Sequence, residues 1–501
     1  MSTDLRSKTV RAIGHLGAAG ALGKVISLGS TLVLARILTP ADYGLMAIAM
    51  VVIGFVGFFN EVGIGSAIVQ KPKLDTAEVN GCFAIALMAS TVLFAGTALL
   101  SGVLAGFFGN PKLGPMIAVL ASAFVLGAFG TVPMAFLRKD MQFKAIGGIT
   151  IMVSLTQTLL CLLLAWLGWG VWALVWSFIA ASALQSAAAL YLSAWRPKGE
   201  VGLRAAKDLV MYGLQITSTR VFWYLYMNAD KVIIGRVIGE KAVGVYDMAF
   251  SLATLPSSQI TTLATNVAAP LFAKLQHDMD ELNSFLLHFT RGVAYATYPA
   301  LIGMLVVSRE LIPVILGDKW DAVLVPFGAL CLMGLIKSVD PLLSQVLIST
   351  GYARKLSAYT LMCGIVISGS MVVGAMYGGL FGVSLVWVCV YPVLSIKLLY
   401  ETCKVTGLKM SAYYLAILPV LAGAVAMAVG VLGIRALAFA MGLPLLAVLI
   451  CEVIGGGIVY LLWIVYLDRR GVSEIRQVMI DLGVPAHKFD RWPFDRAVTS
   501  T

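Results

Sequence analysis

Apolar runs of about 20 residues follow one another along almost the whole chain, each long enough to cross the hydrocarbon core of a bilayer. No water is available there to satisfy a free peptide group, so such a run has to be a helix that closes its own backbone hydrogen bonds. Fourteen spans are expected, at about 12–36, 43–68, 79–107, 114–136, 145–167, 170–194, 209–235, 243–271, 283–307, 323–349, 356–377, 380–402, 411–434 and 437–466. Pro133, Pro256, Pro299 and Pro392 fall inside them, where bundles tolerate a kink. The expected fold class is therefore all-α, a polytopic membrane protein of about 14 transmembrane helices. Hydrophobic residues make up 60% of the 501 and charged residues 12%, against about 25% in a soluble domain, which leaves no room for a large soluble domain.

The basic residues sit in alternate loops. Arg6, Lys8 and Arg11 precede the first span, and Lys71 and Lys73 follow the second. Arg138, Lys139 and Lys144 follow the fourth, and Arg196, Lys198, Arg204 and Lys207 the sixth. Lys274 follows the eighth, Arg354 and Lys355 the tenth, Lys404 and Lys409 the twelfth, and Arg469, Arg470 and Arg476 the fourteenth. The intervening loops hold only Arg36, Lys112, Arg236, Lys241, Arg309, Lys319 and Arg435. Positive charge marks the cytoplasmic side, so both termini are expected there. The net charge of +11 is thus a topology signal, and no nucleic-acid partner is expected. The segment Met1–Arg11 is polar and basic, without the apolar core and small-residue cleavage site of a signal peptide, and is expected to be retained.

The chain echoes itself. Arg36, Gly44 and Ala49 recur as Arg236, Gly244 and Ala249, 200 residues later, in the first outer loop of each six-span set. Six is even, so both halves enter the membrane from the same side. That predicts two parallel-repeat six-helix lobes related by an axis along the membrane normal, with a site between them. The expected divisions are an N-lobe over 1–200 (spans one to six), a C-lobe over 201–408 (spans seven to twelve), two further spans over 409–467, and a cytoplasmic tail over 468–501.

Charges inside spans are costly, roughly 2.5–3.5 kcal/mol each on insertion scales, and so they mark cavities or pairs. Span seven carries Thr217, Arg220, Tyr224, Asn228 and Lys231 within one narrow helical arc, opposite Leu214, Val221, Phe222, Leu225, Val232 and Ile233. The arc reads as a wet cationic stripe; the alternative is an Arg220 that caps a neighbour's carbonyls. Lys24 lies at comparable depth in span one, Arg291 in span nine and Lys337 in span ten. Cations at this depth suit a phosphate or pyrophosphate. Lys24, Arg220, Arg291, Lys337, Tyr224 and Asn228 are the candidate substrate-binding residues, and Glu61, Asp230 and Asp340 the candidate ion-coupling groups. Plainer readings stand beside these. Asp230 and Lys231 snorkel at a span end, Lys337 and Asp340 neutralise each other three residues apart, Glu61 is structural, and Glu452 bonds a neighbouring helix.

Nothing points to metal, cofactor or catalytic chemistry. The seven cysteines lack metal-type spacing and lie mostly in apolar runs, and the four histidines are scattered. There is no Gly-x-Ser-x-Gly turn and no phosphate-binding Gly-x-x-x-x-Gly-Lys-Ser/Thr loop, so uphill movement would need a gradient. No catalytic residue and no cofactor are expected.

Several stretches together carry a family likeness. They are Val33–Leu38 with Asp42–Leu45, Gly63–Gln70, Ala269–Gln276, Pro299–Ser308, and Gly317–Pro326 with Leu330–Leu335. Over nearly all of 1–470 the chain resembles the Wzx-type polysaccharide flippases of the multidrug/oligosaccharidyl-lipid/polysaccharide exporter superfamily, nearest to the colanic-acid exporter branch. The resemblance implies fourteen helices in two six-helix lobes plus two. It also implies export of undecaprenyl-pyrophosphate-linked oligosaccharide across the bacterial inner membrane by ion-driven alternating access. A cationic central cavity comes with it, which Lys24, Arg220, Arg291 and Lys337 would supply by location. The partners implied are that lipid-linked oligosaccharide, membrane lipids, and the polysaccharide polymerase and chain-length machinery.

Two other functions compete. An organic-cation drug exporter of the same superfamily should show a carboxylate-lined cavity, not an excess of Lys and Arg. A membrane polysaccharide polymerase or ligase needs a sizeable outer loop for its acceptor sugar, yet the longest outer loop here lies around Ser308–Ala322.

Overall fold

The computed structural model describes residues 29–61, 64–71, 75–197, 200–202 and 224–468, and among these every regular element is helical. In chain order the helices are α1 (29–37 among the described residues), α2 (Pro40–Glu61), α3 (Ile64–Gln70), α4 (Thr76–Phe108), α5 (Leu113–Lys139), α6 (Phe143–Trp166), α7 (Val171–Leu192) and α8 (224–237 among the described residues). There follow α9 (Glu240–Leu275), α10 (Met279–Val306), α11 (Ser308–Ile315), α12 (Leu324–Ser349), α13 (Ala353–Thr406), α14 (Met410–Ala440) and α15 (Leu445–Tyr466). The chain divides into two compact units, Met1–Gly244 and Val245–Thr501.

Local chemistry sets several boundaries. Thr39 and Asp42 form a reciprocal cap at the start of α2: Thr39 N donates to Asp42 Oδ2 at 2.9 Å, and Asp42 N donates to Thr39 Oγ1 at 3.3 Å. Pro40 fills the first helical position, where its missing N–H costs nothing. Asp278 caps α10 by accepting from Glu281 N at 3.0 Å. The 54 residues of α13 would reach about 80 Å as one rod, far beyond a bilayer core of about 30 Å. The chain breaks instead at Gly379, with φ 55° and ψ −140°, a conformation open to glycine. The two arms, 353–378 and 380–406, match the two spans read there from the sequence.

In the first unit α5 packs against α2, α3, α4, α6 and α7. One of its cores joins Ile64 and Ile68 of α3, Val79 and Cys82 of α4, and Val132 and Ala135 of α5. In the second unit α10 packs between α12 and α14, with α13 on α12 and α15 on α14. Phe289, Val293, Leu342, Leu343, Val420 and Ala424 lie in that core. The outward apolar surface is large: Leu99 is 83% exposed and Tyr377 87%. A soluble protein would aggregate through such a surface, whereas in a bilayer it meets lipid.

Among the described residues nine helices are long and apolar enough to cross a membrane, or ten if α10 and α11, bent by 77° at their break, form one span. The kinked α13 counts once in that figure. Three sequence readings change in detail. The run 43–68 contains two helices, since the 22 residues of α2 already reach about 33 Å. The stretch around Ser308–Ala322 is not an open loop. It folds as α11 and a 3₁₀ turn (Asp318–Val323) that bury Ile312, Leu316 and Trp320 completely. Arg435 lies inside α14, which runs five residues past it.

Candidate functional site

Lys337 and Asp340 lie one turn apart near the middle of α12. The Lys337 ammonium stands over two rings, Phe250 of α9 at 5.6 Å and Trp387 of the second α13 arm at 5.4 Å. Ring faces attract a cation, and more strongly once water is withdrawn. Trp387 is itself fixed, its Nε1 donating to the Tyr246 hydroxyl at 2.8 Å. Asp340 is 6% exposed and accepts from Tyr391 Oη at 2.9 Å and Ser395 Oγ at 2.8 Å. Those donors are four residues apart, so one face of the arm serves one carboxylate. Beside it Thr297 Oγ1 donates to Ser338 Oγ, and Thr261 Oγ1 donates to the Ser338 carbonyl, both at 3.1 Å. The polar groups thus come from α9, α10, α12 and α13, four helices otherwise joined by apolar packing.

The other sequence candidates are placed as follows. Arg291 of α10 is half-buried and its Nε donates to the Ala416 carbonyl of α14 at 2.9 Å. Tyr224 turns its hydroxyl onto the α2 backbone, 3.0 Å from the Val51 carbonyl and 3.3 Å from that of Met50. Its ring packs edge-on against Phe58 at 5.0 Å. Asn228 Nδ2 donates to the Tyr224 carbonyl one turn back, at 3.0 Å. Asp230 is buried and accepts from the Lys231 backbone N–H at 2.8 Å. Lys24 and Arg220 lie outside the described residues. Glu61 ends α2, and its side chain is likewise outside the description.

Two arrangements escaped the sequence reading. Arg435 Nε donates to Glu452 Oε1 at 2.6 Å, and its Nη2 donates to Glu310 Oε2 at 2.7 Å and to the Val306 carbonyl. Glu452 bonds a neighbouring helix, as the sequence implies, and its partner Arg435 lies inside α14 and not in a loop. The second is Lys397, exposed on the α13 second arm, whose Nζ lies 3.2 Å from Met362 Sδ of the first arm. A lone lysine in the apolar run 380–402 was the signal available for it.

A family model described as polysaccharide biosynthesis protein matches residues 33–325. The chain is 26% identical over 390 residues to the lipopolysaccharide biosynthesis protein WzxC of Escherichia coli (strain K12), covering 76% of this chain and 78% of that one. It is 24% identical over 398 residues to the succinoglycan biosynthesis transport protein ExoT of Rhizobium meliloti (strain 1021), covering 78% and 79%. It is 27% identical over 298 residues to the teichuronic acid biosynthesis protein TuaB of Bacillus subtilis (strain 168), covering 58% and 61%. In fold it is similar to the lipid II flippase MurJ in an inward closed conformation, with a TM-score of 0.71 at 12% identity over 91% of this chain and 99% of that one. An inward-facing multidrug resistance transporter of the MATE family aligns with a TM-score of 0.59 at 15% identity, over 79% and 98%.

Proposed function

We propose that this chain, which belongs to the polysaccharide biosynthesis protein family, is a flippase. Its cargo is an undecaprenyl-pyrophosphate-linked oligosaccharide repeat unit, carried across the bacterial cytoplasmic membrane by alternating access and driven by an ion gradient. The observation that carries the reading is Lys337, a cation at mid-helix depth held by ring faces in a multi-pass membrane protein of this family. A diphosphate is the anionic part of a lipid-linked sugar, and it needs cations where water is scarce.

The repeat lobes over 1–200 and 201–408, the pair of spans over 409–467, the tail over 468–501 and the total of fourteen spans belong to the same reading, with both termini cytoplasmic. On its path the pyrophosphate meets Arg291 and Lys337 from the second half of the chain, and Lys24 and Arg220 from their respective spans. Tyr224 and Asn228 offer polar contacts to the sugar. Asp340 is an ion-coupling group, its buried carboxylate held by the Tyr391 and Ser395 hydroxyls. Glu61 and Asp230 are the others. The exported unit passes to a polymerase and its chain-length machinery.

The test is deletion of the gene followed by analysis of lipid-linked glycans. A repeat unit accumulating on the inner leaflet, and cleared by the restored gene, is the expected result. An exporter of organic ions would leave that pool unchanged, and a polymerase or ligase would let single units accumulate on the outer leaflet.

A further inference from the structure

We infer that the exposed side of the second α13 arm is a binding site for an anionic phospholipid of the surrounding bilayer, with Lys397 as its headgroup contact. The two arms run antiparallel. They touch where a methyl on Gly382 would lie 2.1 Å from the Gly374 carbonyl oxygen. The same register brings Lys355 Nζ within 3.6 Å of Glu401 Oε2 and Lys397 within reach of Met362.

One side of the second arm is exposed along its length at helical spacing: Phe381, Leu385, Cys389, Val393, Ile396, Lys397, Tyr400 and Lys404. The first five are apolar and the cations come last, the order of an acyl chain followed by a charged headgroup. Lys397 precedes the helix end at Thr406 by nine residues, about 14 Å along the helix, and a lysine there reaches toward the headgroups along its flexible stem. An ammonium has three donors, and the acceptor described for this one is a thioether, a weak one. Toward the helix end follow Glu401, one turn on and approached by Lys355 of the first arm, and Lys404, two turns on and exposed on the same side. Asp340, on the far side of the arm, is occupied by Tyr391 and Ser395. The surplus is positive, the neighbouring surface is apolar, and a phosphodiester with acyl chains complements both. This inference needs only that the protein spans a membrane; it does not depend on what the protein exports.

The experiment measures lipid binding to the purified full chain by native mass spectrometry, titrating phosphatidylglycerol against phosphatidylcholine. Wild type should bind phosphatidylglycerol in preference. Lys397→Gln should weaken that binding about fivefold, the factor set by the attraction of one basic residue near a membrane. Lys397→Arg should retain it. Lys404→Gln, close to the helix end, is the second variant and should weaken binding by a similar factor even if Lys397→Gln does not fold. No preference for the anionic lipid, or unaltered binding in the glutamine variants, would overturn the inference. So would displacement of phosphatidylglycerol by lower concentrations of undecaprenyl pyrophosphate, which would assign the stripe to the export substrate.

Discussion

Gly44 and Gly244, the two glycines of the internal echo, face each other within the first unit. A methyl on Gly44 would lie 1.7 Å from the Glu240 carbonyl oxygen, and one on Gly244 would lie 1.8 Å from that of Pro40. The contacts are reciprocal, since Pro40 and Gly44 correspond to Glu240 and Gly244 at the 200-residue offset. Gly44→Ala and Gly244→Ala should each destabilise the protein by about 1–3 kcal/mol or more, because the obstacle is backbone and cannot rotate away. Thermal unfolding in detergent reads this, and an unchanged melting temperature in both variants would contradict the close approach.

Arg435 joins two carboxylates from separate helices, with Glu452 wholly buried and Glu310 nearly so. Arg435→Met should cost about 3–5 kcal/mol, the usual penalty for leaving buried charge without its partner. Adding Glu310→Gln and Glu452→Gln should recover much of the loss, because the uncompensated charges go too. The same melting assay decides it. A single variant as stable as wild type would show that the triad contributes nothing.

Lys337 tests the export reading directly. Losing one charge-assisted contact to a phosphate costs on the order of 1.5–3 kcal/mol, a tenfold to hundredfold loss of affinity. Lys337→Gln should lower export per correctly inserted molecule, as should Lys24→Ala and Arg220→Ala. Arg220→Lys should rescue only in part, because the planar fork is lost. Normal export per molecule in all of these variants would remove the cations from the transport path.

Asp340→Asn preserves shape and removes the charge that Tyr391 and Ser395 hold. If Asp340 is the coupling group, the variant should fold normally, bind the lipid-linked unit, and export it at a rate that no longer follows the imposed ion gradient. Gradient-dependent export at the wild-type rate would exclude Asp340.

Orientation is tested with cysteines at Ser2 and Ser500 in a background whose native cysteines are replaced. Both should resist a membrane-impermeant thiol reagent in intact cells, as the alternating loop charges require. Labelling at either position from outside would refute the orientation or the span count.

The apolar runs alone determined that this chain is a multi-pass helical membrane protein, because a bilayer core leaves the backbone no other arrangement. They also located most helix ends to within a few residues, and the break inside α13 falls between the spans 356–377 and 380–402. The 200-residue echo singles out Gly44 and Gly244 from the sequence alone. Lys337 and Asp340 stood out as charges in an apolar setting, for the energetic reason that such charges are rarely placed without use. Tertiary structure decided what each of them touches. The rings over Lys337, the hydroxyls on Asp340, the Arg435 clamp and the thioether beside Lys397 all come from another helix or from the other arm of α13. Hydropathy periodicity records whether a residue avoids water, a property of the residue and its near neighbours. The partner it meets is set by how separate helices pack, and one helix's periodicity carries no record of that.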